Sequence, residues 1–323
     1  MEQRRLGATG VDVTRVILGC GNFGGVGSAA AFFGQGESEA EALALMDAAW
    51  ESGVRAFDTA DAYGGGRSET WIGRWLAARG RRPVLATKVF NSVTGDPDDR
   101  GLARERILRQ IEGSLERLGV ERVDLYLIHA PDPDTALEET IGAFDELVRV
   151  GKVGAIGASN VDRAYLEEAL AISEREGLVR FEWVQNSYSL LDREPEDGVL
   201  QFCAQHGLGF TPFSPLAGGW LTGKYARGQA YPAGSRMTLR PEPYTALDDE
   251  RVWRGLERLT SAAREHGVDV ATLSFSWLFS SPDVTAVVVG PRRPQHLEPA
   301  RRALELELSR DERDELAAFF EPS

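Results

Sequence analysis

Two hydrophobic rhythms alternate along this chain. Short apolar runs of the kind that bury both faces of a strand are followed by longer stretches in which apolar residues return every three or four positions. Gln3 to Leu6 and Val11 to Thr14, joined by Gly7-Ala8-Thr9-Gly10, read as a hairpin ahead of the main pattern. Val16 to Leu18 is then a strand, and Glu37 to Ser52 a helix with Ala42, Leu45, Met46 and Ala49 on one stripe. The unit repeats. Strands are predicted at Val54 to Phe57, Pro83 to Lys88, Val123 to Ile128, Val153 to Ala158, Trp183 to Gln185, Leu208 to Phe213 and Ala286 to Val289. Helices are predicted at Ser68 to Ala78, Leu102 to Leu118, Thr135 to Val150, Val161 to Glu176 and Pro195 to His206, and then at Asp249 to His266 and Val270 to Phe279. Pro294 to Ala303 and Ser309 to Phe320 close the series.

The first seven strand ends, near Gly19, Asp58, Lys88, His129, Ala158, Asn186 and Phe213, lie 27 to 41 residues apart, a βαβ spacing with no antiparallel interlude. Eight strands in strict alternation with helices predict an α/β fold of the closed (β/α)₈ TIM-barrel kind, with an N-terminal β-hairpin and extra C-terminal helices. No change of composition marks a linker, so residues 1–323 are expected to form one barrel domain. Three connections, Gly24 to Gly36, Val89 to Gly101 and Ser214 to Asp248, exceed ordinary length. All three follow strands, which places them on the C-terminal face where barrels carry their chemistry. Phe23, Phe33, Phe90 and Trp220, with Phe32 and Tyr225, give that rim an aromatic lining suited to a small organic substrate.

Composition narrows the setting. A net charge of -14, from 50 acidic against 36 basic residues, disfavours nucleic-acid and anionic-membrane partners. No apolar run approaches the ~18 residues of a spanning helix, and no apolar segment follows the charged start, so a cytoplasmic protein is expected. The two cysteines, Cys20 and Cys203, are expected to be free thiols.

Polar residues at the strand ends change the picture most. Asp58 ends one apolar run and Tyr63 follows it by five positions; the next two strands end in Lys88 and His129. A buried ammonium needs an anionic partner, which Asp58 can supply. A phenol is a poor acid near neutrality, and an adjacent Lys⁺ is expected to lower its pKa so that Tyr63 exchanges a proton with a substrate oxygen. His129 could orient a carbonyl or complete a proton relay.

Other barrel chemistries lack their residues. The four histidines are dispersed, without the H-x-H cluster of a metal hydrolase, so no catalytic metal is expected. Apart from Asp58 the strand ends carry no carboxylate to face it as in a glycosidase, and no G-x-S-x-G elbow occurs. Gly19-Cys20-Gly21-Asn22-Phe23-Gly24 fits G-x-G-x-x-G, but the next helix opens only near Glu37, too far on for its N-terminus to meet a pyrophosphate. What remains is redox chemistry with a separate cofactor. Ser159, Asn160 and Gln185 can both donate and accept, as a carboxamide requires, and Phe213 offers a flat face for stacking. Gly290-Pro291-Arg292-Arg293-Pro294 leads into a helix and combines backbone N–H groups with two guanidiniums, a phosphate site.

These residues resemble the aldo-keto reductase superfamily over nearly the whole chain. The likeness is carried by Asp58-Thr59-Ala60-Asp61-Ala62-Tyr63-Gly64, Lys88, His129, Gly157-Ala158-Ser159-Asn160, Gln185-Asn186-Ser187-Tyr188 and Phe213-Ser214-Pro215-Leu216-Ala217-Gly218-Gly219 with Leu221-Thr222-Gly223-Lys224. The resemblance implies NADPH-dependent reduction of a small aldehyde or ketone. Tyr63 would be the general acid, tuned by Lys88 and Asp58, with His129 positioning the carbonyl. It further implies Ser159, Asn160 and Gln185 on the carboxamide, Phe213 on the nicotinamide, Ser214, Leu216 and Lys224 along the pyrophosphate, and Arg292 near the 2′-phosphate. The last cofactor helix departs from the family pattern, with His296 and Ala300 where relatives carry Gln or Glu and then Asn, which leaves NADH possible. The insertion Val26 to Gly36 is longer than in common members and suggests a specialised substrate, such as a keto-sugar of a biosynthetic pathway. A cofactor-binding sensor or regulatory subunit with little turnover is the rival reading, and the oligomeric state stays open.

Overall fold

The chain begins by closing one end of the sheet it goes on to build. In the computed structural model, which describes residues 1–321, β1 (Gln3–Arg5) and β2 (Asp12–Thr14) pair antiparallel, with Gln3 opposite Thr14. The last two residues of the expected domain, 322–323, lie outside the described residues. Leu6 and Val13 of the hairpin are buried against the sheet's inner side chains. Gly7 has φ +53°, and a Cβ there would lie 2.4 Å from the Glu182 carbonyl oxygen, so only glycine lets the turn sit this close to the strand.

Eight parallel strands follow: β3 (Val16–Gly19), β4 (Ala56–Asp58), β5 (Val84–Val89), β6 (Val123–Ile128), β7 (Val153–Ser159), β8 (Trp183–Gln185), β9 (Gly209–Phe210) and β10 (Val287–Val289). They run in the order β10-β3-β4-β5-β6-β7-β8-β9. Between β9 and β10 the Thr285 N–H donates to Phe210 O and the Val288 N–H to Pro212 O, both at 2.9 Å, which brings the ends of the sheet together as a (β/α)₈ barrel. Strand β9 is shorter than the expected Leu208 to Phe213. Pro212 lacks an N–H and interrupts the ladder there. Hydrogen bonds from Gly209, Thr211 and Phe213 to the Glu182, Val184 and Asn186 carbonyls nonetheless carry the pairing with the neighbouring strand up to Phe213.

Period-two alternation divides the strand side chains into two layers. Ile17, Ala56, Ala86, Leu125, Leu127, Ala155, Trp183, Ala286 and Val288 share the barrel interior with the hairpin. Val16, Leu18, Phe57, Tyr126, Ile128, Ile156 and Val184 belong to the outer core beneath the helices. The helices α1 (Glu39–Glu51), α2 (Arg67–Arg79), α3 (Arg104–Leu118), α4 (Leu137–Arg149), α5 (Arg163–Glu176) and α6 (Val199–His206) alternate with the strands. Ser38 and Glu41 form a capping box on α1, and left-handed glycines end α2, α3, α5 and α6. The segment after β9 contains the four-residue α7 (Arg236–Leu239), and beyond it come α8 (Glu250–Glu265) and α9 (Val270–Phe279), all ten residues of which are buried. The chain ends with α10 (Glu298–Ala303) and α11 (Arg310–Ala318).

Buried Arg15 fastens the two ends of this architecture. Its guanidinium donates to Val284 O at 2.6 Å, to Thr285 O at 2.8 Å and to Phe279 O. On the opposite face the long connections after β3 and β9 are joined by arginines: Arg236 donates to Asn22 Oδ1 at 3.0 Å and Arg240 to Val26 O at 3.0 Å. No helix of the described residues is long and apolar enough to cross a membrane.

Candidate active site

Strand parity explains why the polar residues at the strand ends meet. Asp58, Lys88, His129 and Gln185 each stand two positions beyond an inward-facing residue, namely Ala56, Ala86, Leu127 and Trp183; Ser159 stands four beyond Ala155. All five therefore point into the C-terminal mouth of the barrel.

At the centre is Lys88, wholly buried. Its Nζ donates to Asp58 Oδ1 at 2.6 Å and to Thr59 O at 2.9 Å. Asp58 Oδ2 accepts from Gln185 Nε2 at 3.0 Å, so both carboxylate oxygens are engaged and the two halves of the barrel mouth are tied together. The ammonium lies 5.2 Å from the Tyr63 ring centroid, and Tyr63 in turn meets the His129 ring edge-on, at 5.4 Å and 79°. Burial works against the charge on Lys88, yet Asp58 and Tyr63 outweigh it and hold the amine's pKa above its usual value.

The phenol behaves differently from the sequence-based expectation. Lys88 does pull the Tyr63 pKa down, but burial, reinforced by the Asp58 carboxylate, pushes it up more strongly, and the net shift is upward. Tyr63 is thus a neutral O–H at physiological pH. Burial and then the Lys88 charge lower the pKa of His129 to about 3, so its ring is neutral too. The Asn91 side-chain nitrogen lies 3.3 Å from His129 Nδ1; with that amide donating, the ring proton sits on Nε2, directed away from Asn91. Asn91 has no signal in the sequence, because it lies two residues past the end of β5 in an irregular loop.

Ser159, Asn160 and Gln185 come together at one corner, with donors engaged among themselves. Ser159 Oγ donates to Gln185 O at 2.7 Å, and Asn160 Nδ2 donates to His129 O at 2.8 Å and to Ser159 Oγ at 3.1 Å. Among the described residues, the non-glycine positions of positive φ are Asn160 at 58°, Ser214 at 53° and Ala217 at 44°, all in connections that follow strands at this mouth. Strained backbone concentrated there is the pattern of a site whose geometry overrides local preference. Phe213 is half-buried at the edge of the inner core, Leu216 is part-buried, and Ser214 Oγ lies 3.3 Å from Tyr244 Oη.

A second cluster lies where the connection after β9 meets the one after β10. Lys224 crosses Gly219 so closely that a Cβ there would be 2.3 Å from its Nζ. Burial lowers the Lys224 pKa, and the charges of Arg292 and Arg236 lower it further. His296 is held down by burial, Lys224, Arg293 and Arg292, and its Nδ1 accepts from the Arg292 N–H at 3.3 Å. Lys224, Arg236 and Arg292 therefore lie close enough to repel one another, and Arg293 joins Lys224 and Arg292 around His296. Two carboxylates face this group: Glu37 Oε1 pairs with Arg292 Nε at 2.7 Å, and Glu41 lies within reach of the charges of Arg292 and Arg293. Gly290 is exposed at the start of the same segment.

Two expected pocket residues are corrected by the packing. Phe23 and Trp220 are each only 1% exposed. Phe23 belongs to the outer core, and Trp220 packs against Tyr225, Tyr231 and Trp253 at centroid distances of 5.4, 6.2 and 4.9 Å. Phe33 and Phe90 stay part-buried, Phe33 against Gly65 and Phe90 beneath Arg100. Asp61, Glu37 and Arg236 are further polar residues of this region that sequence pattern does not single out. Asp61 is fully buried with neither carboxylate oxygen partnered among the described residues, and burial and then Glu69 hold its pKa well above the carboxylate range. Its one sequence signal is a second acid within an otherwise apolar strand-end motif. Glu37 reads in sequence as an ordinary acid at a helix start, and Arg236 lies in a loop with no periodicity.

Residues 15–321 match the model of the Aldo/keto reductase family. The uncharacterized oxidoreductase YrpG of Bacillus subtilis (strain 168) is 36% identical, across 96% of this chain and 93% of that protein. A probable voltage-gated potassium channel subunit beta of Oryza sativa subsp. japonica is 34% identical, across 95% and 92%. The versiconal hemiacetal acetate reductase of Aspergillus parasiticus is 30% identical, across 97% and 95%.

Proposed function

We propose, for a chain that belongs to the aldo/keto reductase family, that it reduces an aldehyde or ketone with NADPH or NADH and that Tyr63 gives the proton to the carbonyl oxygen. The observation that carries this reading is the buried Lys88–Asp58 pair beside a phenol and a neutral imidazole in the barrel mouth. A nicotinamide, when bound, supplies the hydride. The residues fit such a group. Lys224, Arg236, Arg292 and Arg293 supply a local group of cations suited to phosphates within a protein of net charge -14. Glu37 Oε2, Ser235 Oγ and Trp220 Nε1 are buried without hydrogen-bond partners among the described residues, and the first two belong to this same region.

Each residue at the mouth then has a task. Tyr63, neutral because burial holds its pKa up, donates its hydroxyl proton as negative charge develops on the substrate oxygen. Lys88 stabilises the phenolate left behind, and Asp58 keeps Lys88 charged and aimed. His129 is neutral and offers Nε2–H to the same oxygen, which orients the carbonyl. Asn160, strained at φ 58°, holds the His129 backbone and Ser159 in register.

Replacing Tyr63 by Phe tests the assignment. The variant is expected to keep its affinity for NADPH or NADH, measured by fluorescence titration, and to lose carbonyl turnover by about 10²–10⁴-fold. An undiminished kcat would remove Tyr63 from this role. The beta-subunit relative favours a second reading, a cofactor-binding regulatory subunit. Tight binding of the dinucleotide with no wild-type turnover across a broad carbonyl panel would select it.

A further inference from the structure

Glu37 is a carboxylate where the reading above asks for room for phosphate. Its side chain is 2% exposed and sits immediately before α1, with Oε1 on Arg292 Nε at 2.7 Å. Arg292 is committed a second time, because Nη1 donates to the Gly234 carbonyl. Glu37 Oε2 is buried with no hydrogen-bond partner among the described residues. A buried oxygen of this kind is unfavourable until a donor reaches it.

The two nicotinamide dinucleotides differ at one position, and they meet this arrangement differently. A ribose 2′-hydroxyl carries a proton it can give to a carboxylate oxygen, as acidic residues accept it in other dinucleotide folds. A 2′-phosphate carries about -1.5 to -2 charges near neutrality and offers no such donor. It would meet a like charge at Glu37, and an arginine already paired.

We infer that Glu37 sets the cofactor preference of this protein: Oε2 accepts the 2′-hydroxyl of NADH, while Oε1 holds Arg292 away from the 2′-phosphate of NADPH. The inference rests on the dinucleotide reading of the site. It makes Glu37 a specificity determinant. The other cations, Lys224, Arg236 and Arg293, are left for the phosphates common to both cofactors.

Glu37→Gln keeps the size of the side chain and an oxygen for Arg292, while it removes the negative charge and puts an NH₂ donor in place of the acceptor Oε2. Dissociation constants for NADPH, NADH, 2′,5′-ADP and 5′-ADP are measured by calorimetry on wild type and variant, with circular dichroism to verify folding. The wild type is expected to bind NADH at least as well as NADPH. The variant is expected to tighten NADPH and 2′,5′-ADP by about tenfold or more, with NADH and 5′-ADP unchanged or weaker. An unmoved NADPH-to-NADH ratio, or one that moves towards NADH, overturns the inference alone. If the wild type binds none of the four, the dinucleotide reading falls and the inference with it. Should Glu37→Gln fail to fold, Glu37→Ala replaces it: a shift of the affinity ratio towards NADPH by at least about tenfold is expected, and an unmoved ratio refutes the role.

Discussion

Removing one partner of the Lys88–Asp58 pair should damage the protein more than removing both. In Lys88→Met, the Asp58 carboxylate keeps only the Gln185 amide at 3.0 Å; in Asp58→Asn, the Lys88 ammonium keeps the Thr59 carbonyl at 2.9 Å and a neutral amide. Both residues are almost fully buried, with side chains 1% and 3% exposed, so solvent cannot screen the charge left behind. An uncompensated buried charge of this kind costs about 3–5 kcal/mol. For 323 residues, an unfolding entropy of roughly 2.1 cal/mol/K per residue gives about 0.7 kcal/mol/K, so each single variant should melt about 4–7 °C lower. The double variant Asp58→Asn/Lys88→Met leaves no unpaired charge and should recover to within about 1–2 kcal/mol of wild type. Urea unfolding of the four proteins, with m-values compared to verify one transition, yields the coupling energy. Activity should not recover with stability, because Tyr63 has lost the cation that stabilises its phenolate. Single variants that each cost under about 1 kcal/mol and add in the double would show that the pair is solvated, contrary to the burial on which the argument rests.

Two further predictions concern the residues around that pair. His129 has a folded pKa of about 3 against an unfolded value of about 6.5, so between these values the unfolded chain binds a proton that the native one does not. Its contribution to stability is complete above the unfolded value and is lost as pH falls, up to about 2 kcal/mol between pH 7 and pH 5. The pH dependence of urea midpoints should therefore be shallower in His129→Gln, and identical slopes would contradict the neutral, part-buried ring. Asn160 occupies left-handed backbone at φ 58°, so Asn160→Gly should be more stable than Asn160→Ala by about 1 kcal/mol, the reverse of the usual order. A more stable alanine variant in thermal melts would mean that the connection relaxes.

The barrel was legible because its period is regular, and the central site was legible because it inherits that period. Once Ala56, Ala86, Leu127 and Trp183 face inward, Asp58, Lys88, His129 and Gln185 must do so as well. The hydrogen bond from Gln185 to Asp58 was not legible, since it spans 127 residues and exists only when the sheet curls. The net upward shift of Tyr63 is illegible in the sequence for a related reason. Spacing shows that a lysine is near, whereas the opposing contribution of burial depends on all the atoms around the ring. Loops defeated the reading most. Trp220 turned inward to an aromatic cluster, Arg236 reached Asn22 across 214 residues, and Glu37 met Arg292 across 255, none of which leaves a periodic trace.

The contacts of Arg15 and Gly7 also bear on the order of events during synthesis. Arg15 leaves the ribosome long before the carbonyls that satisfy its guanidinium, which belong to Phe279, Val284 and Thr285. The seat of Gly7, at Glu182 and Gly209, likewise does not exist until those distant residues have emerged. The nascent hairpin has nothing to dock on, and β3 lacks its neighbour β10 until the whole stretch between them has been made. Closure is therefore a late, long-range event, with the entropy of a loop of roughly 270 residues set against it, and until then the growing half-barrel presents two open sheet edges to the cell.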